Sequence, residues 1–287
     1  MGTRKILVLG TGRAGRARLK AIEALKPSFE GVGLSARDGE FSVKLEKYLA
    51  DESVVGVIVC TANESHFRLA EAALKARKHT AVEFPLCRSH AEAKHLYELA
   101  DSSNCVLHVE FIGLMTGTHR ALAAVPANNI AKIQVDMSGG YYRWVKDDAE
   151  SGHLGTLLVG RLQALHHLVG SLVIDSVDLQ QSSEGYDLRL QLKSEGGVAI
   201  TLRDQRADGA SRLRRVEVFG HDGQLISPSP LPLTKGLFEA DLALFLERAE
   251  GGDDVSAKQI VNDQDVLAVM MLADAISKQC ILNSNMV

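Results

Sequence analysis

Lys5-Ile6-Leu7-Val8-Leu9-Gly10-Thr11-Gly12-Arg13-Ala14-Gly15, followed by Arg16-Ala17-Arg18-Leu19-Lys20-Ala21-Ile22-Glu23-Ala24-Leu25, decides the fold of this 287-residue chain. Residues 5–9 form a short, nearly unbroken apolar run, the pattern of a strand buried on both faces. Residues 16–25 carry apolar side chains at helical spacing. Between them Gly-x-Gly-x-x-Gly turns strand into helix. Gly10 permits the tight turn, Gly12 lets the backbone approach a pyrophosphate, and Gly15 allows helix to pack closely on strand. The free N–H groups and positive dipole end of the helix then face the phosphates. In this strand–helix setting the motif predicts a dinucleotide-binding domain, with Gly10, Thr11, Gly12, Arg13, Ala14 and Gly15 at the pyrophosphate.

The choice of dinucleotide is read at the end of the second strand, Glu30 to Ser35. A carboxylate there would accept hydrogen bonds from a ribose 2′-OH. Ser35 and Ala36 occupy that place instead, and Arg37 follows, whose guanidinium suits a 2′-phosphate. NADPH is therefore expected. NADH is possible, because Asp38 becomes the ribose ligand if the strand ends one or two residues later.

Working outward, apolar runs alternate with helical stretches through the first half. Strands are expected at 54–60, 80–83 and 105–110, with helices at 67–77 and 89–102. The loops at the strand carboxyl ends should line the ligand crevice, which brings Thr61, His66, Glu83 and Phe84 to the cofactor and His108 and Glu110 toward the substrate. The second half differs. A strand at 131–137 and a helix at 156–169 precede short β runs at 172–179, 186–192, 198–203, 212–219 and 224–226, separated by Gly, Ser and Asp turns. Helices at 237–250 and 263–282 close the chain. The expected architecture is α/β: a Rossmann domain over residues 1–112, then an α+β domain over 113–287 built on an open, largely antiparallel sheet, with the last helix returning toward the first domain.

Composition agrees with a globular enzyme. Hydrophobic residues make up 46% and charged residues 24%, both ordinary values. A formal net charge of -4 gives no reason to expect nucleic-acid binding. The first strand leaves no room ahead of it for a signal peptide, and no apolar run spans a membrane, so a cytoplasmic location is expected. Cys60, Cys87, Cys105 and Cys280 are widely spaced, like reduced thiols, and no set of residues has metal-ligand spacing. Oligomeric state is not legible.

Thr61-Ala62-Asn63-Glu64-Ser65-His66 and Ala76-Arg77-Lys78-His79-Thr80-Ala81-Val82-Glu83-Phe84-Pro85 resemble the Gfo/Idh/MocA oxidoreductases. In that superfamily strand four ends in Glu-Lys-Pro, whose lysine takes part in proton transfer at a sugar hydroxyl. Phe84 stands at that place, and Val159 stands where an aspartate of the second domain's first helix is expected. Both substitutions point away from a sugar dehydrogenase. The biliverdin reductase branch fits better. Val106-Leu107-His108-Val109-Glu110-Phe111-Ile112-Gly113-Leu114-Met115 is similar to its Leu-His-x-Glu-His-x-Glu-Leu-Leu segment, Glu83-Phe84-Pro85 to its Glu-Tyr-Pro, and Gly160-Arg161-Leu162 with Leu168-Val169-Gly170 to its Ser-Arg-(Leu/Ile)…Leu-Phe-Gly helix. Gly236-Leu237-Phe238-Glu239 matches the entry to a late helix of the cyanobacterial type. Phe84 replaces a tyrosine, Phe111 a histidine, Gly113 a glutamate and Ala164 a second arginine.

The resemblance implies hydride transfer to the central methine carbon of a tetrapyrrole and a proton to a neighbouring pyrrole nitrogen. Hydride transfer is mainly a matter of positioning. A flat, apolar substrate with two propionates asks for a broad apolar surface, expected on the open sheet face, and for cations. Arg161 is the charged residue that survives on the matching helix, and it is expected to bind substrate and stabilise developing charge, with solvent as proton source because a guanidinium holds its own proton too tightly. Adjacent on a helix, His166 and His167 point about 100° apart, so they cannot both face one ligand. Tyr142, with Tyr141, Arg143 and Trp144, forms either a stacking wall for the substrate or ordinary packing. The run Arg212-Leu213-Arg214-Arg215 reads as a solvated strand edge. Two other readings share the cofactor site: another dehydrogenase or reductase of the superfamily, and a bilin-binding relative without turnover.

Overall fold

The computed structural model describes residues 3–25, 28–146, 153–251 and 263–284. They divide into two compact units, Met1–Met115 with Leu233–Asp263, and Thr116–Pro232 with Gln264–Val287.

The first unit carries β1 (Arg4–Leu9), α1 (Arg13–Glu23), β2 (Phe29–Leu34), α2 (Phe41–Ala50), β3 (Val54–Val59), α3 (Asn63–Lys75), β4 (His79–Val82), α4 (His90–Ser102), β5 (Leu107–Val109) and the short α5 (Ile112–Met115). The five strands are parallel in the order β2-β1-β3-β4-β5, the doubly wound arrangement expected of a Rossmann domain. Ile6, Val8, Ile22, Ile58 and Ala81 fill its core. Two local features differ from the sequence reading, and a third agrees with it. The helix after β3 begins at Asn63 rather than Phe67, so Ser65 and His66 lie in its first turn and not in a loop. Residues 41–50, given no element from sequence, form α2, whose one buried residue, Leu45, leaves little amphipathic signal. Ser89 caps α4 as an N-cap should, its hydroxyl accepting from the Glu92 N–H at 3.2 Å.

The second unit holds α6 (Gly117–Ala123), β6 (Ile130–Gly139), α7 (Arg143–Lys146), α8 (Leu154–Val169), β7 (Leu172–Ser182), β8 (Gly185–Ser194), β9 (Ala199–Ala207) and β10 (Leu213–Gly220). Its strands run in the order β10-β6-β9-β8-β7. The sheet is antiparallel except where β6 pairs with β9 in parallel, so it is mixed and largely antiparallel. Residues 224–226 form no strand, only an isolated bridge from Leu225 to Phe219. Alternation sorts the two faces. Val135, Met137, Leu188, Leu190, Ile200 and Leu202 are buried on one. The other carries Asp136 paired with Arg215 at 3.0 Å, and Asp187 paired with Arg203 at 2.6 Å and Arg189 at 3.0 Å. The expectation of a broad apolar surface on an open sheet face is therefore corrected: the face not packed in the core is charged.

Helix α9 (Leu237–Ala249) belongs to the first unit, whereas the sequence reading put all of 113–287 in the second. Phe245 is the reason. It is buried against β3, where a Cβ on Gly56 would stand 3.3 Å from its ring. The final helix, α10 (Asp263–Ser284), counts with the second unit from Gln264 onward.

Candidate functional site

The glycine turn has the geometry its sequence demands. Gly10 sits at φ +91°, and a Cβ there would stand 2.6 Å from the Cys60 carbonyl oxygen. A Cβ on Gly15 would collide with the Gly10 carbonyl oxygen. Gly12 is different: it is exposed, and its Cβ would meet nothing within 4 Å. The chain leaves that space open, at the N-terminus of a helix with no acidic residue in its first turn and no side chain capping it. The first-turn N–H groups of Arg13, Ala14 and Gly15 lack intrahelical acceptors by geometry. These features fit a pyrophosphate. Arg13 is exposed and Thr11 partly so, on the same turn.

At the neighbouring strand end Asp38 is already engaged. Strand β2 stops at Leu34. Asp38 is engaged by Lys44 Nζ at 2.8 Å and by the Glu40 N–H at 2.9 Å. Those bonds hold its carboxyl below the usual range. Arg37 is exposed, and its N–H donates to the Ser35 hydroxyl at 3.3 Å, which tightens the turn. The residues present thus fit a phosphorylated ribose better than a free 2′-OH.

Four further residues at the strand ends are organised by buried bonds. His66, 1% exposed, has Nδ1 2.7 Å from the Pro85 carbonyl and Nε2 3.0 Å from the Thr61 carbonyl. It ties the loop after β3 to the loop after β4, and its burial makes it a positioning group rather than a contact to a ligand. Burial outweighs those carbonyls and lowers its pKa. The Thr61 hydroxyl accepts from Ser65 at 2.7 Å. Glu83 pairs with Arg18 at 2.7 Å, and Arg18, 2% exposed, also pairs with Asp241 at 2.6 Å. Asp241 in turn lies 3.1 Å from His108 Nε2 and accepts from the Phe111 N–H at 3.1 Å. His108 is fully buried, so the expectation that it touches substrate is corrected: it braces Asp241. Phe84 remains partly exposed at the strand end. Glu110, also partly exposed, accepts from the Ile112 N–H at 2.6 Å.

In the second unit, α8 carries Arg161. Its Nε is buried and has no hydrogen-bond partner. Burial, then the neighbouring Arg214, lowers its pKa. Residues 212–215 are exposed at the start of the edge strand β10, as the reading of that run as a solvated strand edge expects. Arg215 faces Asp136, so Arg214 points to the opposite face, that of Met137. Among the described residues no carboxylate pairs with Arg161, while Asp204 acts electrostatically on Arg214. His166 and His167 diverge as expected: His166 lies 3.1 Å from Asp265, and His167 Nδ1 lies 3.0 Å from His119 Nε2. His119, missed from sequence, is lowered to about 4 by burial, His167 and Arg161. Tyr141 is buried edge-on against Tyr186, with centroids 6.0 Å apart, so packing is its role. Tyr142 is 61% exposed and free to meet a ligand. The side chains of Arg143 and Trp144 lie outside the described residues. No helix among the described residues is long and apolar enough to cross a membrane.

Comparison with known proteins adds four likenesses. Residues 4–111 match the family model described as oxidoreductase family, NAD-binding Rossmann fold, of the Gfo/Idh/MocA type. Along nearly its whole length the chain is similar to biliverdin reductase A of Homo sapiens, 26% identical over 96% of this chain and 95% of the human protein. Its fold is shared with the crystal structure of biliverdin reductase from Synechocystis sp. PCC 6803, in complex with biliverdin and NADP+, at a TM-score of 0.78 and 21% identity over 96% of this chain and 98% of that one. It is shared as well with UDP-N-acetylglucosamine 3-dehydrogenase of Acidithiobacillus ferrooxidans, at a TM-score of 0.74 and 17% identity over 97% and 98% of the two chains.

Proposed function

We propose that this oxidoreductase, whose residues 4–111 are a Gfo/Idh/MocA-type NAD-binding domain, reduces biliverdin to bilirubin with NADPH. The observation that carries the reading is Arg161 in the second unit. Arg161 has a buried, unpartnered Nε, with the exposed Arg214 near it, and no carboxylate among the described residues pairs with Arg161. A partly buried guanidinium without a counter-ion is costly, and an anionic substrate removes that cost. Biliverdin carries two propionates, and the likeness to biliverdin reductase A extends across nearly the whole chain rather than the Rossmann domain alone.

In this reading Gly10, Thr11, Gly12, Arg13, Ala14 and Gly15 hold the pyrophosphate, Ser35 and Arg37 the 2′-phosphate, and Thr61, Glu83 and Phe84 shape the nicotinamide end. When bound, NADPH supplies the hydride. Arg161 and Arg214 hold propionate or the negative charge that builds on the tetrapyrrole, and Tyr142 offers a ring for stacking. Phe84 packs and has no proton to give.

The test is to mix purified protein, NADPH and biliverdin and follow the visible spectrum. The expected result is loss of the biliverdin band with growth of a bilirubin band. Arg161→Ala should lower that turnover by about 10²–10³, the usual loss for one preorganised electrostatic group. NADPH affinity should hold, and Arg161→Lys should recover part of the loss. No spectral change would favour another substrate. A spectral shift without turnover would favour a bilin carrier. An Arg161→Ala protein that melts earlier but turns over normally would remove Arg161 from the chemistry.

A further inference from the structure

Three carboxyl groups converge at the carboxyl ends of β4 and β5. Glu83 follows β4 directly and Glu110 follows β5. The two strands pair in parallel as far as Val82 and Val109, and the Glu110 N–H donates to the Val82 carbonyl at 2.9 Å. Continuing that register by one residue sets Glu83 and Glu110 side by side on one face of the sheet edge. Asp241 enters from α9. The cations are spent on two of the three. Arg18 bonds Glu83 and Asp241, and the His108 ring lies against Asp241. Among the described residues Glu110 receives only the Ile112 N–H. Cys60, after β3, is the other titratable group near it, kept a thiol by burial and by the charge of Glu83.

An ionised Glu110 would place a third negative charge in a largely buried group whose cations are already engaged. A proton is the available counter-charge. Burial, then Glu83 and Asp241, pushes its carboxyl up to about 8. Yet the residue is only partly buried, so protons can return from solvent. It also stands where the strands of a doubly wound sheet present their ligand.

Resting on the reading of the chain as a bilin reductase, we propose that Glu110 is the acid that protonates the substrate nitrogen as the methine carbon takes its hydride. The Glu110 O–H bond breaks, an N–H bond forms on the pyrrole, and the carboxylate left behind is reprotonated from solvent. The two electrons come with the hydride of NADPH, so one hydride and one proton account for the product. Phe84 has no proton to give, and Arg161 releases its own too reluctantly.

Infrared titration of the purified protein, without substrate, tests the first half. A protonated-carboxyl band should be present at neutral pH, fade as pH rises past about 8, and be missing in Glu110→Gln. The amide mimics the protonated acid, so this variant should fold. The second half is read in kinetics. Glu110→Gln should lower kcat for biliverdin by about 10²-fold or more, the usual worth of a placed general acid. It should also lose the alkaline limb of the rate profile, with KM and NADPH affinity nearly unchanged. A wild-type protein without the band, or a Glu110→Gln variant that keeps kcat and the alkaline limb, overturns the proposal. Failure of the wild type to reduce biliverdin at all would overturn the functional reading and the delivery step together, while the band would still stand or fall alone.

Discussion

Arg37 and Asp38 are neighbours with opposite engagements. Asp38 is bound to Lys44 and to the Glu40 amide, while Arg37 stands exposed. The proposed preference for NADPH rests on that asymmetry. Arg37→Ala should weaken NADPH about 10-fold or more, since charge-assisted hydrogen bonds are each worth about 1.5–3 kcal/mol. Its effect on NADH should be small, and calorimetric titration with both dinucleotides reads the difference. A wild-type protein that binds NADH as tightly as NADPH would contradict the assignment. The geometry of the glycine turn was legible in the sequence because it is local. His108 and Glu83 were not, because the carboxylate and guanidinium that hold them lie far along the chain: Asp241 is 133 residues from His108, and Arg18 is 65 from Glu83.

Helix α9 shows the same limit one level up. Its existence follows from local periodicity, and its ends lie within a residue of those expected. Its membership of the first unit follows from contacts that no local pattern encodes: Phe245 on β3, and Asp241 on Arg18 and His108. Burial would raise the Asp241 carboxyl, but His108 and Arg18 outweigh it and hold it at about 2. A depressed carboxyl stabilises the fold above its unfolded value of 3.8 and loses that contribution as pH falls through about 2. Asp241→Asn keeps the shape and removes the charge. It should cost about 3 kcal/mol in urea unfolding at neutral pH, the low end for breaking a buried ion pair, because Arg18 keeps Glu83. The difference from wild type should narrow toward pH 2. A cost under about 1 kcal/mol at neutral pH would mean that the buried pair does not fasten the helix.

Across the whole molecule, the doubly wound sheet and the mixed sheet were both legible, from apolar runs alternating with helices and from short strands separated by turns. The expected apolar platform was not there. Alternation shows that a strand has two faces without showing which one the helices cover, and the face left outside the core is charged. Relatives sharing this fold act on substrates as unlike as biliverdin and a nucleotide sugar, so the architecture alone selects no chemistry. In the proposed reading it is selected by Arg161, whose buried Nε has no partner, with a Phe84 that bears no proton. The most direct measurement is therefore the fate of the hydride. Purified protein is given biliverdin and NADPH labelled with deuterium at its reactive ring carbon, and the product is examined by mass spectrometry and NMR. The account predicts bilirubin carrying one deuterium at its central methylene carbon. Deuterium at any other position, or biliverdin recovered unlabelled and unchanged, would contradict it.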